Sequence, residues 1–330
     1  MSAVESLSAP RAAGVRVPDF FIVGHHKSGT SALYEMLKAH PQIFMSAQKE
    51  PRFMASDMRE RFRQPREHPH PQTLDEYLAL FAAAPPQQRA GEASATYLWS
   101  QTAAERIAQL QPAARIIAIL REPASFLFSL HMTYLRAHVE SEKDFERALA
   151  LEPERRDGRR IPRRSHLPQL LLYSDHVRYV AQLRRYHAHF PPEQVLVLVY
   201  DDFRDDNAAT VRRVLRFLDV DEDVDVQPLQ TNVTQRTIRS HAADDVVRSV
   251  SLGNGGLAGA AKAAAKLLTT QRMRHGAIAR ARRHLVLADP PEPDQSFMDD
   301  LRRRFEPEVV AVSEYLGRDL VAQWGYDRLG

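Results

Sequence analysis

The chain has 330 residues, with 45 Lys+Arg against 42 Asp+Glu, 14 His, no cysteine, 44% hydrophobic and 26% charged residues. That length allows one large or two ordinary domains with a sizeable core, and the apolar fraction excludes wholesale disorder. Without cysteine there is no disulfide scaffold, thiolate metal site or cysteine nucleophile, and a net charge of +3 is too small a bias to imply a nucleic-acid partner.

Residues 1–17 carry Glu5, Pro10, Arg11 and Arg16 but no apolar run of signal-peptide length, and read as a disordered lead-in. Residues 19–24 form a strand-like apolar run ending in Gly24. A polar loop follows, then a helix over 31–38 with Leu33, Met36 and Leu37 at helical spacing, stopped by His40-Pro41. A helix over 102–110 precedes a second strand at 115–121, set between Pro112 and Pro123. A helix over 176–190, with Val177, Val180, Leu183 and Tyr186 on one face, precedes a third strand at 194–200. A last helix of this set, 207–218, carries the stripe Val211, Val214, Leu215 and Leu218.

Continuous rather than alternating Ile/Val/Leu runs indicate strands buried on both faces, and their alternation with helices indicates a parallel sheet. The expected fold class is α/β, a P-loop-like three-layer fold with a mostly parallel central sheet flanked by helices. The expected organisation is a single domain over 18–330, with an α/β nucleotide-binding core to 220 and a mainly helical, basic portion over 221–330. The arginines at 155, 156, 159, 160, 163 and 164 stand in a Pro- and Gly-containing context that reads as a loop. Residues 246–288 contain no acid, while Lys262, Lys266, Arg272, Arg274, Arg280, Arg282 and Arg283 recur on an Ala- and Leu-rich background. Both basic stretches admit a solvated face, contact with an anionic glycan, or peripheral docking on an anionic membrane. Residues 294–320 read as a further helical region containing Pro307. No run reaches the roughly 18 to 20 apolar residues of a membrane helix, so the expectation is a soluble protein, and the lack of cysteine adds the expectation of a reducing, cytoplasmic compartment.

The strongest signal is Gly24-His25-His26-Lys27-Ser28-Gly29-Thr30-Ser31, between the first strand and the first helix. Glycine allows close approach of backbone to ligand, the first helical N–H groups point outward, and the helix dipole favours negative charge. Lys27 adds a mobile cation, and Ser28, Thr30 and Ser31 add hydroxyl donors. The pattern suits a phosphate-like anion; the bland reading is a polar strand-to-helix turn. A nucleotide-triphosphate loop would need Lys directly after the second Gly, where this chain has Thr30. Residues 195–201, an apolar strand ending in Asp201, leave a P-loop kinase or NTPase as a rival.

The run from Asp19 through Lys27-Ser28-Gly29-Thr30, with Leu33 and His40-Pro41, closely resembles the 5′-phosphosulfate loop of sulfotransferases that use 3′-phosphoadenosine 5′-phosphosulfate (PAPS), in particular the heparan-sulfate and related carbohydrate sulfotransferases and their bacterial relatives. Lys49-Glu50-Pro51-Arg52-Phe53 resembles the element whose Glu is that family's catalytic base. Residues 115–123 followed by Ser129 resemble its 3′-phosphate clamp, with Glu122 where Asp or Asn is usual. The resemblance covers residues 18–220 well. It implies PAPS as co-substrate without a metal, Lys27, Ser28, Gly29, Thr30 and Ser31 around the 5′-phosphate, Arg121 and Ser129 on the 3′-phosphate, and Glu50 taking a proton from a hydroxyl or amine of a carbohydrate, glycolipid or secondary-metabolite acceptor. Residues 231–239, ending in Arg239, would replace the cysteine-bridged loop of the animal enzymes over the nucleotide's far end.

A general base is expected to be moved toward neutrality by burial, and Glu50 is assigned that shift here. His25 and His26 are the competing bases in the loop itself. His68 and His70, in a Pro-rich loop, read as turn residues rather than metal ligands. A non-catalytic nucleotide- or polyanion-binding protein is the remaining alternative.

Overall fold

A computed structural model describes residues 15–58, 70–163, 165, 167–224 and 292–329, and the backbone of 237–238 and 287–288. The first fourteen residues, His68, Arg164, Arg239 and all of the basic stretch 246–288 except the backbone of 287–288 lie outside the described residues. Arg16, assigned to the lead-in, pairs with Asp19 at 2.7 Å.

Five parallel strands form the central sheet: β1 (Phe20–Gly24), β2 (Ile43–Met45), β3 (Arg89–Ala93), β4 (Arg115–Leu120) and β5 (Val195–Val199), in the order β2-β3-β1-β4-β5. This is the expected α/β class with a parallel sheet. Every residue of β1 is buried, and alternation along it feeds two cores. Phe20 and Ile22 face α1 (Thr30–Lys38) and α10 (Asn207–Phe217), packing with Leu33, Leu37, Val211 and Leu215. Phe21 and Val23 lie in the core shared with α3 (Ala103–Leu110), α4 (Pro123–Arg136) and α8 (Tyr179–His187), and α11 (Gln295–Leu316) packs against α4 and α8. A strand with both faces covered has no polar side, which is why these strands read as unbroken apolar runs.

The two strands that no apolar run announced are β2, three residues long, and β3, whose sequence is Arg-Ala-Gly-Glu-Ala. Small residues are required in β3 because a Cβ on Gly91 would lie 2.1 Å from the Phe20 ring. Because β1 is flanked by β3 on one side and β4 on the other, the chain leaves it in opposite directions, opening a crevice at the carboxyl ends of the strands.

Two helical details differ from the sequence-based expectation, one helix is additional to it, and the C-terminal helical region is found where expected. The helix predicted over 176–190 is two, α7 (Tyr173–His176) and α8, and α4 is a fourteen-residue helix begun by Pro123 in its first turn. The C-terminal helical region is α11, which continues through Pro307, and α12 (Leu320–Gln323). The arginine-rich loop begins as helix α6 (Glu152–Arg156), following α5 (Phe145–Ala150), and Arg155 is not solvated. Its guanidinium meets both carboxylate oxygens of Glu140, at 2.8 and 2.9 Å, where both side chains are buried. Tyr173 also donates to Glu140 at 3.2 Å, as do the Ser141 and Glu142 N–H groups at 2.7 and 2.8 Å.

Removing one partner of a buried ion pair leaves an uncompensated charge, which costs about 3–5 kcal/mol. Arg155→Ala is therefore expected to lower unfolding free energy by about that amount, whereas Arg159→Ala and Arg160→Ala, on exposed side chains, stay within about 0.5 kcal/mol. Equal effects of the three substitutions in denaturant titrations would contradict this placement.

Candidate functional site

The loop from β1 to α1 sits at the switch point of the sheet. His25 N–H donates to the Ile119 carbonyl at 2.9 Å, anchoring the loop to β4. Gly29 has φ +90°, and a Cβ there would approach Phe203 to 2.8 Å, so both backbone conformation and space require glycine. Gly29 is the N-cap of α1 and provides no side-chain cap, and no acid stands in the first turn. The N–H groups of Thr30, Ser31 and Ala32 thus open an anion site at the positive end of the helix.

Lys27, held at φ +61°, is half-buried beside Arg121 and Arg136. Burial first, then repulsion from Arg136 and Arg121, lowers its ammonium pKa to about 8. Among the described residues no carboxylate lies within ion-pair distance of Lys27. Arg121 is aimed by three contacts: Nη1 donates to the Lys27 carbonyl at 2.8 Å, Nε donates to Ser125 Oγ at 3.2 Å, and the guanidinium lies 4.7 Å from the centre of the Tyr200 ring. Its Nη2 has no partner among the described residues. A charged fork with a spare edge next to a half-buried ammonium can hold a polyanion.

The predicted residues divide between those that converge here and those that do not. Lys27, Gly29, Thr30, Ser31 and Arg121 come together. Ser28 is fully buried, and its hydroxyl donates to the His26 carbonyl at 3.3 Å, so its side chain braces the loop. Ser125 touches Arg121, while Ser129 stands one turn further along α4. Glu122 caps α4, accepting from Ala124 N–H at 2.9 Å and Ser125 N–H at 2.7 Å. Asp201, the acid a nucleotide-triphosphate loop would use, accepts from Trp324 Nε1 at 3.0 Å and pairs with Arg204 at 2.9 Å.

Glu50 stands on the β3 side of the crevice. Its N–H donates to the Ala93 carbonyl at 2.9 Å, and its carboxylate accepts from Ala95 N–H at 3.1 and 3.2 Å. Lys49 lies 3.4 Å and Arg52 3.8 Å from it. The expected upward pKa shift is overturned. Burial does push the carboxyl up, but His26, Lys49, Arg52 and the Ala95 N–H together outweigh it, and the net shift is downward. Glu50 is an ionised carboxylate with a fixed orientation.

Sequence reasoning missed Glu92, which is fully buried beneath this arm. Burial raises its carboxyl to about 7, against hydrogen bonds from Ser94, Tyr77 and Tyr97 at 2.6, 2.5 and 3.2 Å. Ser94 Oγ in turn accepts from Arg52 N–H, and Tyr97 Oη from Met54 N–H, each at 3.1 Å. The network pins a segment in which Glu50 and Arg52 have φ of +59° and +56°, a conformation that non-glycine residues hold only when the surroundings impose it. The signal available in the sequence was a lone acid between small residues in a strand.

The two loop histidines also separate. His25 is buried against Phe126 and Tyr179, with Nε2 2.6 Å from Gln182 Oε1, and desolvation lowers its pKa to about 3. It is a core residue, not one facing an acceptor. His26 lies among Glu50, Arg52, Lys49 and Lys27, and burial lowers it to about 4 despite the Glu50 charge.

A model described as the sulfotransferase family matches residues 18–224. Among characterised proteins, the chain is 27% identical over 212 residues to the bifunctional heparan sulfate N-deacetylase/N-sulfotransferase 3 of Homo sapiens, covering 62% of this chain and 22% of that protein. It is 29% identical over 170 residues to carbohydrate sulfotransferase 15 of Homo sapiens, covering 39% of this chain and 29% of the relative. The chain thus matches less than a third of the length of these relatives. The crystal structure of a sulfotransferase from Alicyclobacillus acidocaldarius superposes with a TM-score of 0.66 at 27% identity, covering 94% of this chain and 99% of that one.

His25 and His176, both buried, take up protons near 6.5 when unfolded but only near 3 and 4 when folded, chiefly because burial penalises the cation. The unfolded chain therefore binds more protons between these values, and stability falls as pH drops through 6.5 toward 4. Each site contributes a loss of about 2 kcal/mol by pH 5. Urea midpoints are expected to fall between pH 7 and pH 5; a flat profile would contradict the burial of these rings as neutral imidazoles.

Proposed function

The chain belongs to the sulfotransferase family, and from that membership we propose that it moves the sulfuryl group of PAPS to a hydroxyl or amine of an acceptor by in-line displacement, with Glu50 as general base. The observation that carries the reading is a pair of cations, Lys27 without a carboxylate at ion-pair distance among the described residues and Arg121 held beside it, facing an oriented carboxylate, Glu50, across one crevice. PAPS supplies the sulfuryl group and a bisphosphate leaving group. The residues fit it: an uncapped helix N-terminus, a half-buried ammonium without a carboxylate beside it, and a guanidinium with an open edge.

In such a transfer the protein contributes positioning and charge stabilisation more than covalent chemistry. The Thr30, Ser31 and Ala32 N–H groups and Lys27 hold the 5′-phosphate end, and Lys27 stabilises negative charge as it develops there. Arg121, just before α4, and Ser129 on that helix take the 3′-phosphate. Glu50 holds the acceptor proton at its carboxylate. A base of ordinary or low pKa suffices because the acceptor group becomes acidic only as its bond to sulfur forms. The acceptors we propose are a carbohydrate, a glycolipid or a secondary-metabolite hydroxyl. The carbohydrate class is favoured by likeness to the two carbohydrate-acting relatives.

Glu50→Gln is expected to keep the affinity for adenosine 3′,5′-bisphosphate within about threefold while lowering turnover at least about 100-fold. Undiminished turnover would move the base to His26, since His25 is enclosed by the core. Lys27→Ala is expected to weaken binding and abolish turnover. Because free Lys27 titrates near 8, bisphosphate binding above that pH should take up a proton, detectable by calorimetry in buffers of different ionisation enthalpy. Tighter, magnesium-dependent binding of ATP than of the bisphosphate would overturn the assignment in favour of a kinase.

A further inference from the structure

Residues 292–329 lie beyond the stretch that the family model matches, yet they grip both supports of Arg121. The first grip is Tyr326, a buried side chain whose hydroxyl donates to Glu122 Oε1 at 2.7 Å. Glu122 uses the same carboxylate to cap the first turn of α4 through the Ala124 and Ser125 N–H groups. Ser125 Oγ donates to the Glu122 carbonyl at 3.1 Å and accepts from Arg121 Nε at 3.2 Å. A chain of four hydrogen-bonded groups thus runs from Tyr326 to the guanidinium. Arg302, on α11, adds a cation 3.9 Å from the Glu122 carboxylate.

The second grip is on α9 (Tyr200–Asp205). Arg318 forks onto Asp202 with two contacts of 2.6 Å, Gln323 donates to the same carboxylate at 3.0 Å, and Trp324 donates to Asp201. This helix carries Tyr200, on which Arg121 stacks, and Phe203, which closes against Gly29. Both the polar and the aromatic support of Arg121 are therefore fastened from one C-terminal segment.

We propose that residues 292–329 act as a strap that aims the 3′-phosphate clamp, with Tyr326 as a positioning residue for Arg121 through Glu122. The inference rests on the reading that Arg121 binds a 3′-phosphate. A strap that merely stabilised the fold would alter affinity for every nucleotide alike. One that aims Arg121 alters the discrimination between a nucleotide with a 3′-phosphate and one without.

The test is calorimetric titration of the full chain with adenosine 3′,5′-bisphosphate and with adenosine 5′-phosphate. Wild type is expected to prefer the bisphosphate. Tyr326→Phe should weaken bisphosphate binding about fivefold to tenfold, as for loss of one bond to a charged group felt partly at the ligand, and change monophosphate binding less than about twofold. Glu122→Gln should show the same selective loss. Ile107→Val, a buried substitution on α3 outside the strap, should lower the unfolding midpoint and leave the affinity ratio unchanged. An unchanged ratio in both Tyr326→Phe and Glu122→Gln would overturn the strap while leaving the site assignment standing. A wild type that binds the two nucleotides equally would overturn the role of Arg121 and the strap with it.

Discussion

Lys27 is held in a half-buried position between Arg121 and Arg136, where neither burial nor its neighbours favour its charge. Glu122 and Asp201 act on Arg121, whereas Lys27 has no carboxylate at ion-pair distance among the described residues and is restrained by backbone and packing. The Lys27 carbonyl is tied to Arg121, Gly29 is wedged against Phe203, and the loop is hung from β4 through His25 N–H. Like charges gathered in a partly desolvated crevice repel more strongly than they would in water. A bound polyanion relieves that repulsion, so the energy stored by the fold becomes affinity for the ligand.

The opposite wall has the reverse character. Glu50 is a single carboxylate surrounded by Lys49, Arg52 and the Ala95 N–H, and the backbone just after it, at Arg52 and Met54, is fastened through Ser94 and Tyr97 to the buried Glu92. One side of β1 therefore presents an excess of positive charge around Lys27 and Arg121, and the other a paired, oriented negative one. His26, neutral at physiological pH, stands between them. An arrangement that separates the binding charge from the proton acceptor across a few residues of loop is what a group transfer between two bound substrates needs.

Much of this was legible in the sequence because the central strands are covered on both faces. Phe20 to Val23, Ile116 to Leu120 and the Val-Leu run of β5 had to be apolar throughout, and the loop between β1 and α1 was exposed by its own density of Gly, Lys and hydroxyls. The strands β2 and β3 escaped because one is very short and the other depends on Gly91 to admit Phe20. Pairings across long separations were equally hidden. The Arg155–Glu140 pair looks like part of a solvated arginine run, and nothing local marks Tyr326 as a partner of Glu122, 204 residues away. The direction of the Glu50 shift differs from expectation for a related reason: burial is visible as a principle, whereas the arrangement of His26, Lys49, Arg52 and the Ala95 N–H around the carboxylate is set by the fold.

We propose that the uncapped start of α1 with Lys27 receives one phosphate and Arg121 another, with Glu50 across the crevice. A crystal structure of the chain with adenosine 3′,5′-bisphosphate tests it most directly. The 5′-phosphate is expected within hydrogen-bond reach of the Thr30 to Ala32 N–H groups and Lys27, and the 3′-phosphate on the free edge of Arg121. A nucleotide seated elsewhere, or one whose 3′-phosphate avoids Arg121, would contradict it.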